Sequence, residues 1–320
     1  MKYRITHTTV YNYSQAVGLC QNEARLLPRD FWRQRCESSH FEIVPTPTDF
    51  YEFIDFFGNR VTYFAIQQSH KQLVVTAISE ITIFPRHDII SDLSKPLAWE
   101  QVRNMLQDGT DQVQLPFQSQ NQSQNQGSQD QIQHQDFNLE ILDARYYVLD
   151  SPMVTSSQAL ADYAQASFQP NRLLIDVVRD LMQRIYIDFT YDPSFTTIAT
   201  PLSDVLSHRR GVCQDFAHLA IGCLRSFGLA ARYISGYVET QPEPGQQRLV
   251  GADASHAWFA VYLPGTGWLD FDPTNNKLPY DQHITLAWGR DYADVTPLKG
   301  IAFGGGQHTL SVSVDVLRLE

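Results

Sequence analysis

Gly211-Val212-Cys213-Gln214-Asp215-Phe216-Ala217-His218 opens a segment in which Phe216, Leu219, Ala220, Cys223, Leu224 and Phe227 recur at three- and four-residue intervals until Gly228. Such a period is that of a helix with one apolar stripe, and a glycine past the last apolar residue stops it. Cys213 therefore falls in the first turn. There, unpaired backbone N–H groups and the positive end of the helix dipole favour a thiolate. Arg209 and Arg210, just upstream, add positive charge. Cys223 sits in the middle of the stripe and reads as a small core residue.

Downstream, Ser255-His256-Ala257-Trp258-Phe259-Ala260-Val261-Tyr262 has the alternation of a strand, with Ala257, Phe259, Val261 and Leu263 on one face and His256, Trp258, Ala260 and Tyr262 on the other. Pro264-Gly265-Thr266-Gly267 turns the chain into Trp268-Leu269-Asp270-Phe271-Asp272. A three-residue loop of Leu263 to Gly265 places Tyr262 opposite Thr266. The same register sets His256 directly against Asp272, with Cβ atoms roughly 4.5–5.5 Å apart. A carboxylate on one imidazole nitrogen and a thiol at the other is the arrangement that activates a nucleophile.

Upstream, Ser156 to Phe168 and Arg172 to Ile185 have helical periodicity, and a third helix follows Pro201. Strands come after these helices, around Ala230 to Val238, His256 to Leu263 and Trp268 to Asp272, which is an α+β layout. Residues 1–85 form short β-rich runs such as Thr62-Tyr63-Phe64-Ala65-Ile66, broken at Pro45, Pro47 and Gly58-Asn59. They read as an antiparallel β-sandwich domain. Thr309 to Leu319 alternates again after Gly304-Gly305-Gly306 and is expected to pair with that domain as a returning strand, 309–320. Residues 86–150 connect the two regions, and 151–303 make up the second domain.

Eleven of the twenty-four residues from Gln112 to Gln135 are glutamine. Such a composition buries too little apolar surface to offset its ordering entropy, so it reads as a surface insert. The whole chain has 320 residues with 24 basic and 35 acidic side chains, a formal net charge of −11. No Lys/Arg cluster offers a footprint for nucleic acid. No run of about 18 apolar residues spans a membrane. The amino terminus, Met1-Lys2-Tyr3-Arg4-Ile5-Thr6-His7-Thr8, alternates like a strand and not like a secretory signal. Cysteines at 20, 36, 213 and 223 form no CxxC pair, and free thiols in a cytoplasmic protein are the expectation, with a Cys20–Cys36 bridge as the extracellular alternative.

The Cys213 segment, His256-Ala257-Trp258, and Trp268 to Thr274 with its Phe271-Asp272-Pro273-Thr274-Asn275 ending resemble, in that order, the catalytic blocks of the bacterial transglutaminase-like family of cysteine proteases. Gly289-Arg290-Asp291-Tyr292-Ala293-Asp294-Val295 matches it too, and Asp55-Phe56-Phe57-Gly58-Asn59 looks like that family's amino-terminal β-domain. The resemblance covers nearly the whole chain outside the insert. It implies a papain-like core with Cys213 as nucleophile, His256 as general base and acid, and Asp272 as third member.

The backbone N–H of Cys213 is the expected oxyanion donor and Tyr191 a candidate second one. Trp258, Arg290, Asp291 and Asp294 are candidates to line the substrate, with loop bracing as the alternative for the last three. The implied reaction is thiol-dependent acyl transfer on a peptide or protein amide, resolved by water or by an amine. A noncatalytic binding module on the same fold is the rival from another class. No cofactor is expected, and Asp270, Asp272, Asn275 and Asn276 lack the Asp-x-Asp-x-Asp-Gly pattern and distal Glu of a calcium loop. Pocket shape depends on loops such as Glu239 to Ala252.

Overall fold

The computed structural model describes residues 1–84, 97–108, 139–239 and 255–319. The Gln-rich insert at 112–135 and most of the Glu239–Ala252 loop lie outside the described residues. Contacts divide the chain into two compact units, Met1–His87 with Ile234–Ala257 and Pro279–Glu320, and Asp88–Tyr233 with Trp258–Leu278.

The first unit is built on β1, a 23-residue strand, Lys2–Ala24, in a seven-stranded sheet. On one side its first half pairs antiparallel with β5 (His70–Ile83) and its last residues with β4 (Arg60–Ile66). β2 (Gln34–Val44) then adds to β5 and β3 (Asp49–Ile54) to β4. Alternation of Val and Ile with polar residues along β1 and β5 buries Tyr3, Ile5, Leu73, Val75, Ala77 and Ile81. Hydrogen bonding thus joins all these strands in one large antiparallel sheet, continuous through β1.

Two further strands, β12 (Leu298–Gly304) and β13 (His308–Arg318), pair with the same β1 end to end, at Val17–Ala24 and Tyr3–Tyr13. Gly304, Gly305 and Gly306 join them, with φ of 96°, 85° and 62°. A Cβ at Gly304 would stand 2.7 Å from the Ala16 carbonyl oxygen and one at Gly306 2.5 Å from Ser14 Oγ. The triplet is therefore a close backbone approach that side chains would prevent.

Asp55-Phe56-Phe57-Gly58-Asn59 is a turn held by its own side chains. Asp55 Oδ1 accepts from the N–H groups of Phe57 (3.0 Å) and Asn59 (2.8 Å). Asn59 is fully buried and mimics a strand partner, its amide donating to the Trp288 carbonyl and accepting from the Trp288 N–H, both at 2.9 Å. Arg29 stacks 3.1 Å over the Trp288 ring and donates to Asn59 Oδ1.

The second unit contains α1 (Trp99–Asp108), helical residues 139–146, α2 (Gln158–Ala164), α3 (Leu174–Asp188), α4 (Leu202–His208) and α5 (Cys213–Ser226). The α3 stripe of Leu174, Val177, Val178, Leu181 and Ile185 is buried. Helix α5 is buried from Asp215 to Arg225. Arg225, in its last turn, donates to the carbonyls of Tyr147 (2.9 Å) and Ala231 (3.0 Å) and to Ser151 Oγ (2.9 Å), so its charge is held at the negative end of the helix. A short parallel pair, β6 (Thr190–Tyr191) and β7 (Arg210–Gly211), precedes α5.

A four-stranded sheet has the order β10-β9-β8-β11, with β8 at Ala231–Val238, β9 at Ser255–Leu263, β10 at Gly267–Phe271 and β11 at His283–Gly289. The short α6 (Tyr292–Val295) follows β11. The architecture is α+β, with a large amino-terminal antiparallel sheet. Among the described residues no helix is long and apolar enough to cross a membrane.

Candidate active site

Cys213 is the first residue of α5 and is partly exposed, whereas Cys20 and Cys223 are buried. Its helix start is fixed without a conventional cap, because Val212 offers no side-chain acceptor. Instead Asp215, at the third helical position, reaches back to accept the Val212 N–H at 2.8 Å and takes a second bond from Thr196 Oγ1 at 2.8 Å. Burial raises the Asp215 carboxyl above its usual range, opposed by these two hydrogen bonds. Gly211 is required beside it, since a Cβ there would meet Asp215 Oδ2 at 2.8 Å. Burial also raises the Cys223 thiol, whose Sγ lies 3.6 Å from the Leu160 carbonyl oxygen.

Tyr191 pairs with Gly211 across β6 and β7, and the Asp192 N–H donates to the Gly211 carbonyl at 2.8 Å. The residue is 54% exposed. Burial of its hydroxyl, then the charges of Cys213 and Asp215, hold that group above its ordinary 10.0.

His256 is buried on β9. Its ring lies 6.0 Å, centroid to centroid, from that of buried His283 at the start of β11, a histidine not singled out from the sequence. Two imidazoles thus lie side by side within the first unit. Asp272 is fully buried just past β10. Its Oδ1 accepts from the N–H groups of Thr274 (3.0 Å) and Asn275 (3.2 Å), and its Oδ2 from Asn275 Nδ2 (2.7 Å). Three donors hold one carboxylate orientation.

The register of the β9–β10 hairpin differs from the expected one. Leu263 pairs with Gly267 and Phe259 with Phe271, so Tyr262 faces Trp268 and not Thr266. Pro264, with its fixed φ, takes the second position of the turn, Gly265 the third at φ 75°, and the Thr266 N–H closes it onto the Leu263 carbonyl at 3.0 Å. Leu263 is thus the last strand residue and not the first of the loop. The slip is two residues, which preserves the face: Asp272 continues the side of the strand pair that bears Trp258.

The four substrate-lining candidates have structural partners. Trp258 is fully buried and donates Nε1 to Asp270 Oδ2 at 3.4 Å. Arg290 makes a forked pair with Asp294, from Nε at 2.9 Å and Nη2 at 3.0 Å. Asp291, fully buried, caps α6 by accepting the Ala293 N–H at 2.8 Å. The last two sets of contacts brace the turn after β11, and the Trp258 bond lies within the β9–β10 hairpin.

Residues 3–82 match the bacterial transglutaminase-like N-terminal region and residues 159–273 the transglutaminase-like superfamily. The uncharacterized protein Rv2569c of Mycobacterium tuberculosis is 40% identical over 325 residues, covering 100% of this chain and 93% of its own. A protein-glutamine gamma-glutamyltransferase of Pseudomonas aeruginosa is 31% identical over 162 residues, 47% of this chain and 23% of its own. In fold, the crystal structure of a candidate cysteine protease from Cytophaga hutchinsonii covers 100% of this chain and 91% of its own, with TM-score 0.68 and 19% identity. The chain belongs to the transglutaminase-like superfamily and carries that superfamily's bacterial N-terminal region.

Proposed function

We propose that the protein is a thiol acyl-transfer enzyme acting on amide or peptide carbonyls, with Cys213 as nucleophile, His256 as acid and base, and Asp272 orienting the imidazole. The observation that carries this reading is the partly exposed Cys213 at the first turn of a helix otherwise buried from Asp215 onward. There a carbonyl can reach the sulfur, and the free N–H groups of the first turn face the position where its oxyanion would form.

In the proposed reaction the Cys213 thiolate attacks the carbonyl carbon, and the oxyanion takes the Cys213 N–H and the Tyr191 hydroxyl as donors. Protonated His256 gives its proton to the departing amine as the C–N bond breaks, leaving a thioester on Cys213. Water, losing a proton to His256, then releases the acid. Asp272, pinned by Thr274 and Asn275, keeps the imidazole in one tautomer. The free state of Cys20, Cys36, Cys213 and Cys223 fits a reducing, cytoplasmic setting.

Water is the favoured acceptor, and the name of the Pseudomonas relative makes an amine the second reading. Incubating the protein with a Gln-containing peptide amide, with and without a primary amine, separates the two by product mass. Free acid in both cases supports hydrolysis; an amine adduct supports transamidation. No turnover of any amide by the wild type would set the reading aside.

A further inference from the structure

Two arginines of the second unit share one aromatic ring. Arg184, near the end of α3, and Arg209, which ends α4 at φ 56°, have their guanidinium carbons 5.3 Å and 4.4 Å from the centroid of Tyr163. Arg209 also lies 4.9 Å from the centroid of Phe189. The two charges are therefore at most about 10 Å apart, about the screening length in 0.1 M salt, and their fields add.

Neither arginine forms an ion pair among the described residues. Arg184 Nη2 donates to the Tyr163 carbonyl at 3.1 Å, but its Nε is buried without an acceptor, and so is Arg209 Nη1. Aromatic faces attract a guanidinium yet supply no oxygen for its N–H groups. The Asp188 carboxylate accepts instead from the Tyr163 hydroxyl, at 3.2 Å. Burial raises the Cys223 thiol while Arg184 and Arg209 act against it, so their positive field reaches into α5. A buried donor on a charged group is costly to leave unpaired, and in a folded protein it marks a place for an ion or another acceptor.

We propose that Arg184 and Arg209 form a binding site for a phosphate group, free or on a small molecule, whose oxygens accept from Arg184 Nε and Arg209 Nη1. A phosphate dianion balances two guanidiniums, whereas a carboxylate balances one. The chain's formal net charge of −11 works against diffuse anion binding, so affinity for an anion has to come from a local pair such as this one.

Calorimetric titration of the full chain with inorganic phosphate, glycerol 3-phosphate and acetate tests this without requiring any reaction at Cys213. Inorganic phosphate is expected to bind with a Kd of about 1 mM or below and acetate at least about tenfold more weakly. Tighter binding of glycerol 3-phosphate supports a small phosphate ester as the occupant, and equal binding supports the free anion. Arg184→Gln and Arg209→Gln should each weaken phosphate about tenfold. Arg179→Gln, at an exposed position earlier on α3, should leave binding in place. Phosphate should also raise the melting temperature of the wild type and not that of Arg184→Gln. If Arg209→Gln does not fold, Arg184→Gln and the anion series decide the matter. No phosphate binding, acetate binding as tight as phosphate, or equal losses in Arg179→Gln and Arg184→Gln would overturn the proposal.

Discussion

Asp215 Oδ2 accepts the Val212 N–H at 2.8 Å, and this single contact fixes the first turn of the helix that begins at Cys213. A valine at the cap position cannot satisfy the helix N-terminus, so the aspartate three residues on acts in reverse. Its two acceptor bonds and the missing Cβ of Gly211 form one packed unit.

Removing that contact should loosen the helix start. Asp215→Ala is expected to cost about 1–2 kcal/mol in urea unfolding, the usual worth of a capping interaction. Gly211→Ala, which drives a methyl to within 2.8 Å of Asp215 Oδ2, should cost a similar amount. A neutral result for both would mean that the turn is held by packing alone.

Stability should also fall with acid through His7. Its ring is 2% exposed and accepts or donates only to Tyr237 and Thr9 in the described interior. Burial lowers its pKa from 6.5 to about 4. Below pH 6.5 the unfolded chain takes up a proton that the folded chain refuses until about pH 4. The contribution is therefore complete above pH 6.5 and is lost as pH drops from 6.5 to about 4, by at most about 3 kcal/mol. Urea unfolding at several pH values in that window should show the slope, and His7→Gln should flatten it.

Asn275 should matter more to rate than to folding. It donates Nδ2 to Asp272 Oδ2 at 2.7 Å, and truncating it removes that donor while the backbone bonds to Oδ1 stay. Asn275→Ala is expected to lower acylation about tenfold with KM little changed, the scale of one charge-assisted hydrogen bond. A change in KM alone would place Asn275 in substrate binding.

Tyr191→Phe tests the second oxyanion donor. Loss of one such donor costs about 10²–10³ in turnover where the donor faces the developing charge. An unchanged kcat in Tyr191→Phe would remove Tyr191 from the oxyanion site and leave that role to the Cys213 N–H.

The elements of the core were legible because their periods are strong. The stripe from Phe216 to Phe227 and the alternation of Ser255 to Leu263 lie where helix α5 and strand β9 form. The hairpin register was not, since Pro264-Gly265-Thr266-Gly267 offers two glycines with positive φ, and which residue pair closes the turn depends on where Pro264 sits. Helix α1 was hidden because only Trp99, Val102 and Leu106 mark its buried face within ten residues. In the sequence Gly304-Gly305-Gly306 marks only the lead into the last strand; the close approach of Ser14 to Val17 makes it a steric requirement. Nothing local distinguishes His283 from any histidine ahead of a strand, because its neighbour His256 is far away in sequence. For Arg290, Asp291 and Asp294 the sequence left substrate lining and loop bracing both open, and their hydrogen bonds close a turn on itself.

The central claim is that Cys213 is an activated thiol served by His256. Intact-mass measurement of iodoacetamide labelling across pH, on wild type, Cys213→Ala and His256→Ala, tests it most directly. One label much faster than that of an ordinary thiol is expected, absent in Cys213→Ala and much slower in His256→Ala. Labelling of Cys213 no faster than an ordinary thiol, and unaffected by His256→Ala, would contradict it.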